Sequence, residues 1–236
     1  MPVPVPPTVV FCDLDGCLVD STRAITGSLN HALEALGLPP RPVADLLRFI
    51  GPPLADNAAT LIAEAGGEQH LAPRLVHAYR ARYSEVAAVE TSLVPGIPEA
   101  LDRLGEVSVL AVVTSKPAPF ARDVLEATGL ADHFAAVHAP DLDERAEPKA
   151  VTLRRALADL VDGRPAASTV MVGDRHHDVA AGRACGTGVV GVTWGVGDRA
   201  ELEGAGADEI VDAPAELVAL LTAGRAPSRD GRRRAR

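Results

Sequence analysis

Asp13 and Asp15 stand two residues apart at the end of an apolar run, Val9-Val10-Phe11-Cys12, and Gly16 follows them. Side chains alternate along a strand, so carboxylates at this spacing project to the same side, about 7 Å apart in an extended chain. Such a pair suits a nucleophile and a proton carrier acting on one substrate. A second pair, Asp174 and Asp178, is four residues apart in Gly173-Asp174-Arg175-His176-His177-Asp178, which places both on one face of a turn entering a helix. Thr114 and Ser115 follow another apolar run and offer hydroxyls and backbone N–H groups beside a helix start at Pro117. Lys149 adds a cation. Carboxylates that converge without a Cys or His cluster at zinc spacing call for a hard cation, and Mg²⁺ is the one that leaves room for water and phosphate oxygens. His176 and His177 are read as solvated turn residues, because Mg²⁺ prefers oxygen. A cation, hydroxyls and a helix N-terminus are what the oxygens of a phosphoryl group require.

These residues need a scaffold that gathers them. The run at 9–12 carries no charge, as expected of a parallel strand buried on both faces. From Ser21 the periodicity changes to three and four (Ile25, Leu29, Ala32, Leu33, Leu36), and Gly37-Leu38-Pro39-Pro40 ends a helix. Short amphipathic segments at 42–49, 53–65 and 72–86 follow, with no convincing strand before Glu90. From Leu93 strands and helices alternate. Strands are expected at 107–113, 134–138, 169–172, 188–194 and 209–211, with helices at 97–104, 117–128, 148–160, 178–185, 198–204 and 214–221. Alternating βα units imply an α/β fold with a parallel sheet covered on both faces. In such a sheet the strand ends at Asp13/Asp15, Thr114/Ser115, the Lys149 region and Asp174/Asp178 gather at one edge, where open α/β sheets place their ligands.

Composition narrows the function. The net charge is −9, and becomes −14 once the six arginines and one aspartate of residues 224–236 are set apart. That balance disfavours nucleic acid as a partner, and 3% aromatic residues give no platform for stacking its bases. The basic tail is expected to be a solvated terminus. Cys12, Cys17 and Cys185 have no metal-type spacing and suit a reducing compartment. The N-terminus does not read as a signal peptide, and no apolar run is long enough to span a membrane, so a soluble, cytoplasmic protein is expected.

The order D-x-D-G-x-x-x-D-S, apolar-apolar-T-S-K, P-K-A and V-G-D-x-x-x-D resembles the haloacid dehalogenase superfamily of phosphohydrolases. The stretches Arg48-Phe49-Ile50-Gly51-Pro52-Pro53, 171–178 and Gly191-Val192-Thr193-Trp194-Gly195 are similar to its phosphoglycolate phosphatase-like and 5′-nucleotidase-like branches. The resemblance implies a Rossmann-like core at 8–20 and 91–223, with an all-helical cap at 21–90 inserted after strand 1. It implies a Mg²⁺-dependent phosphomonoesterase acting through an aspartyl-phosphate on a small phosphorylated metabolite, phosphoglycolate-like or a nucleoside monophosphate. A phosphomutase of the same superfamily is the alternative within the family. A receiver-like signalling protein or a non-catalytic phosphate-binding protein is the alternative outside it.

Carried over by position, Asp13 is the nucleophile and Asp15 the general acid, then base, with its carbonyl on the metal. Thr114, with Ser115 beside it, binds phosphate. Lys149 orients Asp13, and Asp174 and Asp178 complete the metal set with Asp13 and Asp15. Arg48 is the cap residue expected to read the substrate. Cys17 stands where the family commonly has Thr, and Lys149 follows a proline rather than preceding one. A monomer or homodimer is expected.

Overall fold

The computed structural model describes residues 2–142, 147–161, 163 and 165–223, so the basic tail at 224–236 lies outside the described residues. β1 (Val9–Cys12) ends in a tight turn that leads to β2 (Val19–Asp20). Four helices follow: α1 (Thr22–Ala35), α2 (Val43–Leu46), α3 (Leu54–Glu64) and α4 (Ala72–Val86). The chain returns through β3 (Ser92–Leu93) and then alternates: α5 (Ile97–Gly105), β4 (Val109–Val113), α6 (Ala118–Ala127), β5 (Ala136–His138), α7 (Lys149–Leu160) and β6 (Thr169–Gly173). It ends with α8 (His176–Cys185), β7 (Gly188–Val192), α9 (Arg199–Ala205), β8 (Glu209–Val211) and α10 (Pro214–Thr222).

Six strands form one parallel sheet in the order β5-β4-β1-β6-β7-β8. Alternation along β1 explains the layering. Val9 and Phe11 face α7 with Ala111, Val113, Leu153 and Met171. Val10 and Cys12 join a larger cluster with Val112, Val172, Leu101, Val124 and Leu217 on the other face. That cluster continues without a break into Leu29, Leu33, Leu61, Ile62 and Leu75 of the helical block, so burial of one apolar mass ties the block to the sheet.

The register places the chemistry. Cys12 lies between Val112 and Val172, so Asp13, Thr114 and Asp174 all emerge within two residues of that row, at one end of the three central strands. Lys149 is the exception to the expected strand ends. β5 stops at His138, and Lys149 instead opens α7 after Pro148, reaching the same edge from a helix start. β7 also stops two residues early, at Val192, because Trp194 turns back and its Nε1 donates to Cys17 O at 2.9 Å. Two short strands have no counterpart in the sequence reading: β2 and β3 pair antiparallel, Asp20 opposite Ser92, where the chain enters and leaves the helices.

Candidate active site

Gly16 is what lets β1 end as it does. At φ +83° the backbone folds into the turn that pairs Gly16 N with Val19 O at 2.8 Å. A Cβ at residue 16 would stand 2.7 Å from Asp174 Cγ. Gly16→Ala therefore imposes left-handed strain of about 1–2 kcal/mol and also displaces Asp174. Thermal unfolding should register the strain as a lowered midpoint.

Asp13, Asp174 and Asp178 are all buried and bring carboxylate oxygens within 4.8 Å of one another. Lys149, also buried, lies 2.7 Å from Asp13 Oδ2 and 2.5 Å from Asp178 Oδ1. Asp178 is committed further: at the third position of α8 its Oδ2 accepts from Arg175 N at 3.0 Å. Asp174 Oδ2 accepts from Val196 N at 2.7 Å, supplied by the loop after β7. Asp13 Oδ1 and Asp174 Oδ1 are buried with no hydrogen-bond partner among the described residues.

Two unpartnered anionic oxygens in a buried, oxygen-only cluster fit a hard divalent cation. Without one, the charge is felt as shifted titration. Burial pushes Asp13 up to about 6, against the pull of Lys149 and with the push of Asp178. Burial, then Asp178 and Asp13, push Asp174 up to about 7. Burial opposes the Lys149 ammonium, but Asp13 and Asp178 outweigh it and raise its pKa.

Asp15 is turned to a different partner. Lys116 Nζ lies 2.5 and 2.6 Å from its two oxygens, and Ser21 Oγ also donates to it. Both members of the Asp15–Lys116 pair are buried, and the ammonium sits 4.9 Å above the Tyr83 ring. Asp15 is thus outside the three-carboxylate cluster by its side chain. Thr114 is buried at the end of β4, its Oγ1 accepting from Lys116 N at 3.2 Å, and Ser115 lines the cavity next to Asp15.

Arg48 is not brought to this site. Its guanidinium pairs with Glu64 on an exposed surface and approaches the cavity only through the ring of Phe49, 4.9 Å from its centroid. It lies in a 3₁₀ turn, Leu47–Phe49, which turns Phe49 inward and Arg48 outward. Arg48→Ala is accordingly expected to leave the ranking of substrates unchanged in a phosphate-release panel, within about twofold, since an exposed ion pair contributes little.

His176 also departs from a purely solvated role. Its Nδ1 lies 2.6 Å from Glu201 Oε1, and Glu201 is drawn down to about 2: the bonds from His176 and Arg175 outweigh burial, which acts the other way. His177, half-buried, is lowered to about 4, mainly by burial.

Two participants were missed by sequence reasoning. Lys116 stands inside the T-S-K run, but its pairing across 101 residues has no local signal. Arg175 spans from the carboxylate turn to the helical block, donating through Nη1 to Ile50 O at 2.7 Å and through Nε to Glu201 at 2.9 Å.

Several known proteins are similar to this chain in sequence and fold. The family profile described as haloacid dehalogenase-like hydrolase matches residues 9–192. A 5′-nucleotidase of Pseudomonas aeruginosa is 35% identical over 197 residues, covering 83% of this chain and 86% of that protein. A phosphoglycolate phosphatase of Chromobacterium violaceum is 32% identical, covering 91% and 96%. The tyrosine-protein kinase PtkA of Mycobacterium tuberculosis is 41% identical over 194 residues; the match covers 81% of this chain but 64% of PtkA. Among solved structures, a predicted phosphatase from Clostridium acetobutylicum superposes with a TM-score of 0.82 at 30% identity, covering 90% of this chain and 96% of that one.

Proposed function

The chain belongs to the haloacid dehalogenase-like hydrolase family and is a phosphatase, and from that premise we propose that it hydrolyses phosphomonoesters of small metabolites with Mg²⁺ through an aspartyl-phosphate. The observation that carries the reading is the pair of buried, unpartnered oxygens, Asp13 Oδ1 and Asp174 Oδ1, beside the cation Lys149.

In this reading Asp13 attacks phosphorus in line with the leaving oxygen. Lys149 pairs with Asp13 Oδ2, holding the carboxylate in place and offsetting charge as it builds on the phosphoryl group. Thr114 and Ser115, at the end of β4, donate to the phosphoryl oxygens. Asp15 protonates the leaving oxygen and then takes the proton from the water that attacks the phosphoenzyme. Lys116 and Ser21 orient Asp15 meanwhile. When bound to Asp13, Asp174, the Asp15 carbonyl and, directly or through water, Asp178, Mg²⁺ supplies charge neutralisation at the phosphoryl oxygens. The α1–α4 block serves as a cap over this edge, joined to the core by β2 and β3, and closing it excludes water during the first step.

A cation must displace protons from carboxyls whose pKa values are raised to about 6 and about 7. Mg²⁺ affinity should therefore climb as pH rises from 5 to 8 and level off above about 8, with proton release visible in calorimetry in buffers of different ionisation heat. Affinity independent of pH would remove Asp13 and Asp174 from the metal set. The overall reading is tested by phosphate release from a panel of phosphorylated metabolites: it requires turnover with Mg²⁺ that a chelator abolishes.

A further inference from the structure

The chain has four phenylalanines, two tyrosines and one tryptophan in 236 residues. Both tyrosines and two of the phenylalanines, Phe49 and Phe120, line a single cavity of about 100 Å³ between the helical block and the sheet edge. Asp15 lines the same cavity, so a leaving oxygen within reach of its carboxyl carries the rest of the substrate into this space. Tyr79 and Tyr83 stack at 5.3 Å with planes 10° apart, and Phe120 meets Tyr83 edge-on at 5.2 Å. Tyr83 and Phe120 are buried, whereas Tyr79 is partly open and forms the accessible end of the stack.

The charges around this wall narrow the class further. Among the described residues, three acids, Asp15, Asp141 and Glu147, face the cavity with two cations, Arg80 and Lys116. Lys116 is already committed to Asp15, and Glu147 to Arg155 and Thr152. A leaving group that carries its own carboxylate meets a lining whose remaining charges, Asp141 and Arg80, balance, and gains little there, whereas an uncharged ring meets aromatic faces and edges that match it.

From this juxtaposition we propose that the cavity selects phosphomonoesters with an uncharged aromatic leaving group over carboxylated ones of the phosphoglycolate kind. The inference deepens the proposed hydrolase and rests on it for the position of the phosphoryl group. Its ligand chemistry, a flat uncharged ring one or a few bonds from the phosphate, is shared by aryl alcohols and nucleosides.

Binding separates this inference from turnover. Calorimetry on the full chain with Mg²⁺ compares benzylphosphonate with phosphonoacetate, which differ in ring against carboxylate. Ring burial and aromatic contact predict at least about tenfold tighter binding of benzylphosphonate. Equal affinities, or a preference for phosphonoacetate, overturn the proposal. Tyr79→Leu should bring the two affinities to within about threefold; a folded variant with an unchanged ratio overturns it too, and if that variant does not fold, the wild-type ratio still decides. Turnover then distinguishes the two sources. With benzyl phosphate, uridine 5′-monophosphate, ethyl phosphate and 2-phosphoglycolate as substrates, kcat/KM for at least one ring-bearing ester should exceed that of ethyl phosphate by at least about tenfold. The better of the two assigns an aryl alcohol or a nucleoside, and neither exceeding it overturns the selection. Absence of Mg²⁺-dependent turnover with every substrate would end the hydrolase reading, while the phosphonate ratio would still report on the cavity.

Discussion

Asp13→Asn is expected to abolish hydrolysis, lowering kcat by about 10⁶-fold, the scale on which loss of a covalent nucleophile acts elsewhere. The amide keeps the shape of the side chain but carries no charge with which to attack phosphorus. The fold should survive, because Lys149 keeps its 2.5 Å contact with Asp178 and is not left as an isolated buried cation. The measurement has two arms. Acid quench after mixing with labelled substrate should trap phosphoprotein from the native chain and none from the variant, and near-ultraviolet circular dichroism should be superimposable. Phosphoprotein from Asp13→Asn, or turnover within tenfold of native, would rule out Asp13 as the covalent site.

Asp15→Asn should separate two jobs that reside in one carboxyl. Protonating the leaving oxygen matters greatly for an alkoxide and little for an activated aryl oxide, whereas deprotonating the attacking water is needed whatever the substrate was. General acid–base help is worth about 10²–10⁴ in rate. Alkyl phosphates should thus lose about 10²–10⁴-fold in both phases. An activated aryl ester should instead give a burst of phenol equal to the enzyme concentration, then slow turnover as phosphoenzyme accumulates. The structure adds a control. Removing the Asp15 charge leaves Lys116 buried without its 2.5 Å partner, which costs about 3–5 kcal/mol when a buried pair is broken on one side. Asp15→Asn with Lys116→Met should recover much of that stability without recovering turnover. If instead stability and activity return together, Asp15 acts only by holding the fold.

The central strands were legible because a strand buried on both faces must be nearly continuously apolar, and 9–12, 170–172 and 188–192 carry no polar side chain. The carboxylate cluster was legible for a related reason: a parallel sheet delivers every strand's C-terminal residue to one edge, so Asp13, Thr114 and Asp174 needed no knowledge of distance. What depends on side-chain direction was not. Arg48 belongs to the right loop and faces the wrong way, since one position in a 3₁₀ turn separates it from the inward Phe49. Lys116 and Arg175 act through partners 101 and 125 residues away, and no local periodicity encodes such pairs. β2 and β3 escaped because two residues are too few to show a period of two. The low aromatic content excluded a nucleic-acid platform, yet the same few rings were concentrated by folding into one cavity.

Pairing of Asp20 with Ser92 has a consequence for the history of such a chain. The ends of the seventy-odd residues between them are neighbours on adjacent strands, about 5 Å apart. A stretch whose two ends already meet can be exchanged for another of different length without moving the catalytic edge, provided the incoming segment begins and finishes at the same ribbon and covers the apolar face that the present helices bury. Selectivity and chemistry can then drift separately, the first by swapping what is spliced in at Asp20 and Ser92, the second by leaving Asp13 and its neighbours untouched. Shuffling libraries built on this scaffold should take those two positions as their crossover points.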